Sequence, residues 1–198
     1  MKIIDCEQCS PEWFKAKAGI PSAASFDKII TTKGEPSQQR TDYLYQLAAE
    51  VLSGEKAESY KSPAMEHGIE TETEARFTYE LTKDVTVNQV GFCIADNGLA
   101  GCSPDGLLGD VSGLEIKCPM GKTHIKYLLD GRLPTEYFQQ VQGSLYVTGY
   151  ASWDFMSYFP GIKPLIITVY RDDSFIRNLH DQLVIFNHDL KEIVERIS

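Results

Sequence analysis

No apolar run in this 198-residue chain approaches the roughly 20 residues that cross a bilayer. The opening Met1-Lys2-Ile3-Ile4-Asp5-Cys6 turns polar too soon for a signal peptide. A cytoplasmic protein without a membrane partner is the expectation. Its five cysteines (Cys6, Cys9, Cys93, Cys102, Cys118) are odd in number and scattered, which argues against a disulfide framework. Cys6-x-x-Cys9 has neither a second such pair nor a suitably spaced histidine, so free buried thiols are expected rather than structural zinc. His67, His124, His180 and His188 show no metal-ligand spacing and are assigned no catalytic role. Repeats, low-complexity tracts and linkers are absent too, which suggests one domain over residues 1–198. Basic excess is also missing. A net charge of −9 argues against a polyanionic partner until the charges are located. Lys15, Lys17, Lys28, Lys33 and Arg40 gather near the start, and Lys117, Lys122 and Lys126 form a second group. Much of the acid lies in residues 66–80 and the last helix, so a locally basic channel within an acidic exterior is compatible with this composition.

The chemistry concentrates in Cys102-Ser103-Pro104-Asp105-Gly106 and Leu114-Glu115-Ile116-Lys117-Cys118-Pro119. Alternate residues of a strand share a face, so Glu115 and Lys117 point one way and Ile116 the other. Gly109 and Gly113 bracket a turn between two apolar runs. A hairpin there would bring Asp105 beside the Glu115 strand and gather two carboxylates with one ammonium. Two acidic oxygen donors suit a hard divalent ion such as Mg²⁺, and the lysine can hold or polarise a water that attacks phosphorus. The pattern is that of a metal-dependent nuclease site.

Elsewhere the pattern predicts helices over 10–19, 22–30, 40–52 and 64–82. Strands are expected at 85–87, 90–94, 99–102, 107–108 and 114–117. Helices over 122–129 and 135–148, strands over 151–158 and 165–170, and a helix over 173–197 complete the chain. This order implies an α/β fold with a mixed central sheet flanked by helices. On the 64–82 helix, Met65, Ile69, Glu72, Arg76 and Tyr79 fall on one side. Glu72 is either an ion-pair partner of Arg76 or, beside Asp105 and Glu115, a third metal carboxylate. Tyr137, Gln140 and Ser144 line one side of the 135–148 helix, and Gln140 could contact the attacking water or the scissile phosphate. Trp13 and Phe14 read as core aromatics.

These segments resemble the lambda-type phage exonucleases, the alkaline exonuclease or viral recombinase family of the PD-(D/E)XK nuclease superfamily. The likeness runs in order through Cys6-Glu7-Gln8 with Trp13, Lys17-Ala18-Gly19-Ile20, and Gly68-x-x-x-Glu72-x-x-Ala75-Arg76. It continues through Ser103-Pro104-Asp105-Gly106-Leu107, Gly113-Leu114-Glu115-Ile116-Lys117-Cys118-Pro119 and Gln140-Val141-Gln142. The resemblance implies a restriction-endonuclease-like core and a phage or bacterial origin. It implies a processive 5′-to-3′ exonuclease that degrades one strand of linear double-stranded DNA to mononucleotides and leaves 3′ single-stranded tails. It would make Asp105, Glu115, the Ile116 carbonyl and Glu72 the ligands of two Mg²⁺ ions, with Mn²⁺ able to substitute. Catalysis would fall to Asp105, Glu115, Lys117 and Gln140. It also places Lys17 where the family has a 5′-phosphate-binding arginine, with Ser103 and Tyr137 as further substrate contacts. A toroidal homotrimer on double-stranded DNA ends, with a single-strand annealing recombinase as partner, follows from the same likeness. The alternatives are a structure-specific endonuclease of the superfamily and a non-catalytic DNA-binding module; the latter should have lost an acid or the lysine, and all four positions are filled.

Overall fold

The computed structural model describes residues 1–54 and 63–198, and for 63–66 and 69 the backbone alone. Helix α1 (Pro11–Lys17) starts where the Ser10 side chain accepts from Trp13 N and proline occupies the first turn, in which its missing N–H costs nothing. A 3₁₀ helix (Ala23–Lys28) follows in place of the expected α-helix, its turn broken at Ser25 with φ −126° and ψ 15°. Helices α2 (Arg40–Ser53) and α3 (Pro63–Lys83) come next. Beyond the sheets' first strands lie α4 (Gly121–Asp130), α5 (Phe138–Thr148, after a 3₁₀ turn at Thr135–Tyr137) and α6 (Asp173–Ile197). Asp172 caps α6 by accepting from Ser174 N and Phe175 N.

Two sheets result. The smaller is antiparallel, with order β1 (Lys2–Ile4), β2 (Phe92–Ile94), β3 (Gly101–Cys102). The larger is mixed, with order β4 (Gly106–Leu108), β5 (Ser112–Lys117), β6 (Ser152–Ser157), β7 (Leu165–Tyr170). Strands β4 and β5 form the expected hairpin, which turns through Gly109 at φ +63°, a left-handed conformation that suits glycine. Strands β5 and β6 are parallel, and the connection between them carries α4 and α5. Gly113 pairs with Trp153, and a Cβ on Gly113 would sit 2.3 Å from the indole ring, so only glycine lets the two strands close there.

Residues 85–87 do not form the expected strand. They close the end of α3 instead: Val85 N donates to Glu80 O at 3.3 Å and Val87 N to Glu80 Oε1 at 2.8 Å. Their β-branched residues favour extended backbone, but Val85 and Thr86 are exposed and have no sheet to join. Strand β1 adds to the expected elements; three residues carry too little alternation to register as a strand, and it exists by pairing with β2. The expected strand over 90–94 shortens to β2, because Val90 O and Gly91 O accept from the Gln8 and Trp13 side chains rather than from a neighbouring strand. Three apolar clusters fill the interior, one uniting α2, α6 and the 3₁₀ helix, one placing Ala75 and Tyr79 of α3 under β5 and β6, and one between α5 and β6. The final helix matches its expected bounds. Among the described residues, no helix is long and apolar enough to cross a membrane.

Candidate active site

The hairpin brings the motif residues together. Asp105 N donates to Leu114 O at 3.2 Å, and Asp105 Oδ2 accepts from Ile116 N at 2.5 Å, so the aspartate lies across β5. A strand residue projects its N–H and C=O to the same edge. The Ile116 carbonyl therefore faces the Asp105 side, beyond the end of the β4 ladder. On the face defined by alternation, Glu115 is buried and Lys117 half-buried. Lys117 Nζ lies 2.5 Å from Glu115 Oε1, and Gln140 Nε2 donates to the same oxygen at 2.6 Å. Tyr137 closes the cluster, its ring centroid 5.2 Å from Lys117 Nζ and stacked on Phe155 at 5.3 Å.

Electrostatics follow from this crowding. Burial first, then the Glu115 carboxylate, pushes the Asp105 carboxyl well above its ordinary range. Burial works against the Lys117 charge, but Glu115 and Asp105 outweigh it and hold the ammonium above its usual pKa. Burial raises the Cys118 thiol to about 12, with Glu72 and Asp105 adding to it. A cluster that resists ionising its second carboxyl is one whose negative potential an added cation would relieve.

Of the two readings of Glu72, the structure shows the ion pair. Glu72 pairs with Arg76, and it also lines, with Asp105, two neighbouring clefts of about 490 and 540 Å³. The first is walled by Lys117, Ile116 and Tyr137; the second runs past Gln8 and Arg76. Of the expected helical stripe, Met65 and Ile69 lie outside the described side chains, while Tyr79 is buried and donates to Asp154 at 2.7 Å.

Other expected contacts are elsewhere. Lys17 lies over the Trp13 ring at 4.5 Å and lines a separate pocket of about 150 Å³ with Tyr43 and Glu50. Ser103, two residues from Asp105, accepts from Trp13 Nε1 at 2.9 Å. Ser144 is buried, and Gln142 is structural, bonding to Tyr170 O and Asp172 N. Trp13 is a core residue as expected. Cys93, Cys102 and Cys118 are buried free thiols, whereas Cys9, in the surface turn closed by Ser10 N on Glu7 O, is exposed and Cys6 is half-buried. The view of the histidines needs one correction: on α6, His188, Asp189 and Glu192 bring ligand atoms within 4.8 Å of one another, since i and i+4 share a helix face. They are the only such group of three among the described residues. His124 is buried between Ser157 and the Lys163 carbonyl.

A mixed sheet presenting an acid–x–lysine strand, with a second acid delivered by the adjoining hairpin, is the restriction-endonuclease-like class of fold. The chain belongs to the family of YqaJ-like viral recombinase domains, whose model matches residues 12–151. It is similar to the alkaline exonuclease (LHK-Exo) from Laribacter hongkongensis, at 30% identity over 95% of this chain and 96% of that one, with a TM-score of 0.85. The complex of that enzyme with dAMP gives 0.86 at the same identity and coverage. A phage related exonuclease from Haemophilus somnus 129PT shares the fold, at 14% identity over 90% of this chain and 96% of that one, with a TM-score of 0.70. No curated protein matches the chain.

Proposed function

We propose that this chain is a divalent-metal-dependent exonuclease that degrades one strand of linear double-stranded DNA from its 5′ end, releases mononucleotides and leaves 3′ single-stranded tails. The observation that carries the reading is the clustering of Asp105, Glu115, Lys117 and Gln140 about the end of β5, beside a cleft that Asp105 and Lys117 line, in a chain 30% identical to an alkaline exonuclease. The donor set fits a hard cation: two crowded carboxylates, one of them reluctant to ionise, and a carbonyl on the same edge. Asp105, Glu115 and the Ile116 carbonyl would hold Mg²⁺, with Glu72 as the further carboxylate for a second ion and Mn²⁺ as a substitute. Bound there, the ions would polarise the phosphodiester and neutralise charge on the leaving oxygen.

The side chains supply the rest. Lys117, kept as an ammonium by its two acidic neighbours, orients the attacking water and the phosphate rather than acting as the base. Gln140 fixes the Glu115 carboxylate by its 2.6 Å bond and leaves that group one orientation toward the metal. Tyr137 offers a ring to the sugar or base beside the scissile phosphate. Lys17 and Ser103, joined through Trp13, would receive the 5′-terminal phosphate; lysine does so as a point charge, without the fork of an arginine. A homotrimeric ring would keep the enzyme on its product strand, and a single-strand annealing recombinase would take up the 3′ tail.

The test is digestion of linear duplexes labelled at either end, with and without a 5′ phosphate, beside closed circular DNA. In Mg²⁺ the 5′ label should be released first, faster from phosphorylated ends, while circles stay intact and a chelator stops the reaction. Cleavage of circles favours the endonuclease, and chelator-resistant digestion overturns the metal site.

A further inference from the structure

The β2–β3 ladder stops at Cys93↔Cys102. Antiparallel pairing resumes in the same register at Asn88↔Leu107, where both backbone bonds form, at 3.0 and 2.8 Å. Between these points residues 89–91 and 103–105 face each other without the ladder, and Asp105 turns its N–H to Leu114 of β5 instead. Three side chains from three places bridge the opening. Trp13 Nε1 donates to Gly91 O at 3.1 Å and to Ser103 Oγ at 2.9 Å. Gln8 Nε2 donates to Val90 O at 3.0 Å and to Pro104 O at 2.8 Å. Arg76 Nε donates to Asp105 O at 3.3 Å, and its Nη1 donates to the Gln89 side-chain oxygen at 3.0 Å, with that amide turned to face it. Each rung thus ties one residue of 103–105 to one residue of 89–91.

An interrupted ladder normally leaves carbonyls unpaired at a cost. Here the interruption releases Asp105 toward Ile116, and the side-chain donors replace the lost backbone bonds. We propose that Gln8 and Arg76 are positioning residues that hold Asp105 in place across β5. The inference rests on the reading above that Asp105 is a metal ligand.

The test uses Gln8→Met, which keeps the volume and removes both donors, and Arg76→Gln as a second variant should the first not fold. Mn²⁺ affinity, measured by titration calorimetry, should fall about 10- to 100-fold, as for other supports of metal ligands. kcat should fall in step, with KM for DNA changed less than about twofold if binding of the duplex is left alone. Exchange of the Ile116 amide, which the Asp105 carboxylate holds, should accelerate about tenfold or more as that contact loosens. Added to Asp105→Ala, Gln8→Met should cause no further loss of Mn²⁺ binding, and Arg76→Lys should recover part of what Arg76→Gln loses. Unchanged Mn²⁺ affinity and unchanged Ile116 exchange in the folded variants overturn the proposal, as does additive loss in the Asp105→Ala background. If the unmodified chain binds no Mn²⁺ and digests no DNA, the functional reading fails instead, and Ile116 exchange alone decides whether the clamp exists.

Discussion

At the scale of single residues the proposed site is a crowded pair of carboxyls whose repulsion a bound cation would relieve. Asp105→Ala, Glu115→Ala and Lys117→Ala should each lower turnover by at least about 10²-fold, since each removes transition-state stabilisation; near-normal rates in any of the three would refute the assignment. Stability should move the other way at one of them. The Asp105 carboxyl is raised in the fold by burial and by Glu115. A group with a raised folded pKa contributes fully below its unfolded pKa, near 4, and that contribution is lost as pH rises through the folded value. Metal-free protein should therefore lose stability above about pH 4 on account of Asp105. Asp105→Asn still offers an oxygen to Ile116 N and should raise the melting temperature in chelator at pH 8 but not at pH 4. Thermal melts of both proteins at the two pH values check this, and a lower melting temperature for the variant at pH 8 counts against the crowding argument.

At the scale of elements, β5 delivers three site groups at once, so its seating matters more than any one of its contacts. Gly113 is the position where β5 lies against the ring of Trp153 in β6, which is fully buried. A methyl there must displace a side chain with nowhere to go. Gly113→Ala should destabilise the protein by about 1–3 kcal/mol, the usual range for overpacking. It should also lower turnover, because Glu115 and Lys117 move with the strand. Chemical denaturation with parallel rate measurements would show the two losses together; full stability would mean that β5 and β6 can separate locally without cost.

For the whole molecule, alkaline pH should be both favourable to the reaction and hostile to the fold. Deprotonating the attacking water becomes easier as pH rises. Burial meanwhile raises Tyr43 and Cys118 to about 12 and moves Tyr79 and Tyr127 upward as well. Each such group favours its protonated form in the fold, so its contribution is intact below the unfolded pKa, near 8.5 for cysteine and 10 for tyrosine, and is lost above it. Activity should climb to about pH 9 and then fail together with loss of circular dichroism signal. A decline in activity with the fold intact would place the limit in the site instead. The net charge of −9 triples in a trimer, so any DNA channel must draw on local lysines. Light scattering should give three times 22.2 kDa; a monomer would remove the ring from the proposal.

The chain alone determined which charged groups share a strand face and most of the order of the elements. Alternation in β5 sets Glu115 and Lys117 on one face, Ser10 and Asp172 mark helix starts, and glycines mark the β4–β5 turn; all are local rules that act within a few residues. Glu72, Gln140 and Tyr137 were legible as candidates from helical spacing, though not their partners. Tertiary structure decided what local pattern cannot carry. It paired β1 with β2, left residues 85–87 to close α3 rather than join a sheet, and set Lys17 in a pocket with Tyr43 and Glu50, apart from the carboxylates of the site. It also opened one ladder between residues 89–91 and 103–105 and bridged the gap with Gln8, Trp13 and Arg76, whose bonds join residues between 13 and 96 positions apart. Such contacts depend on where distant backbone carbonyls come to rest, and only the folded chain brings them within reach of a donor.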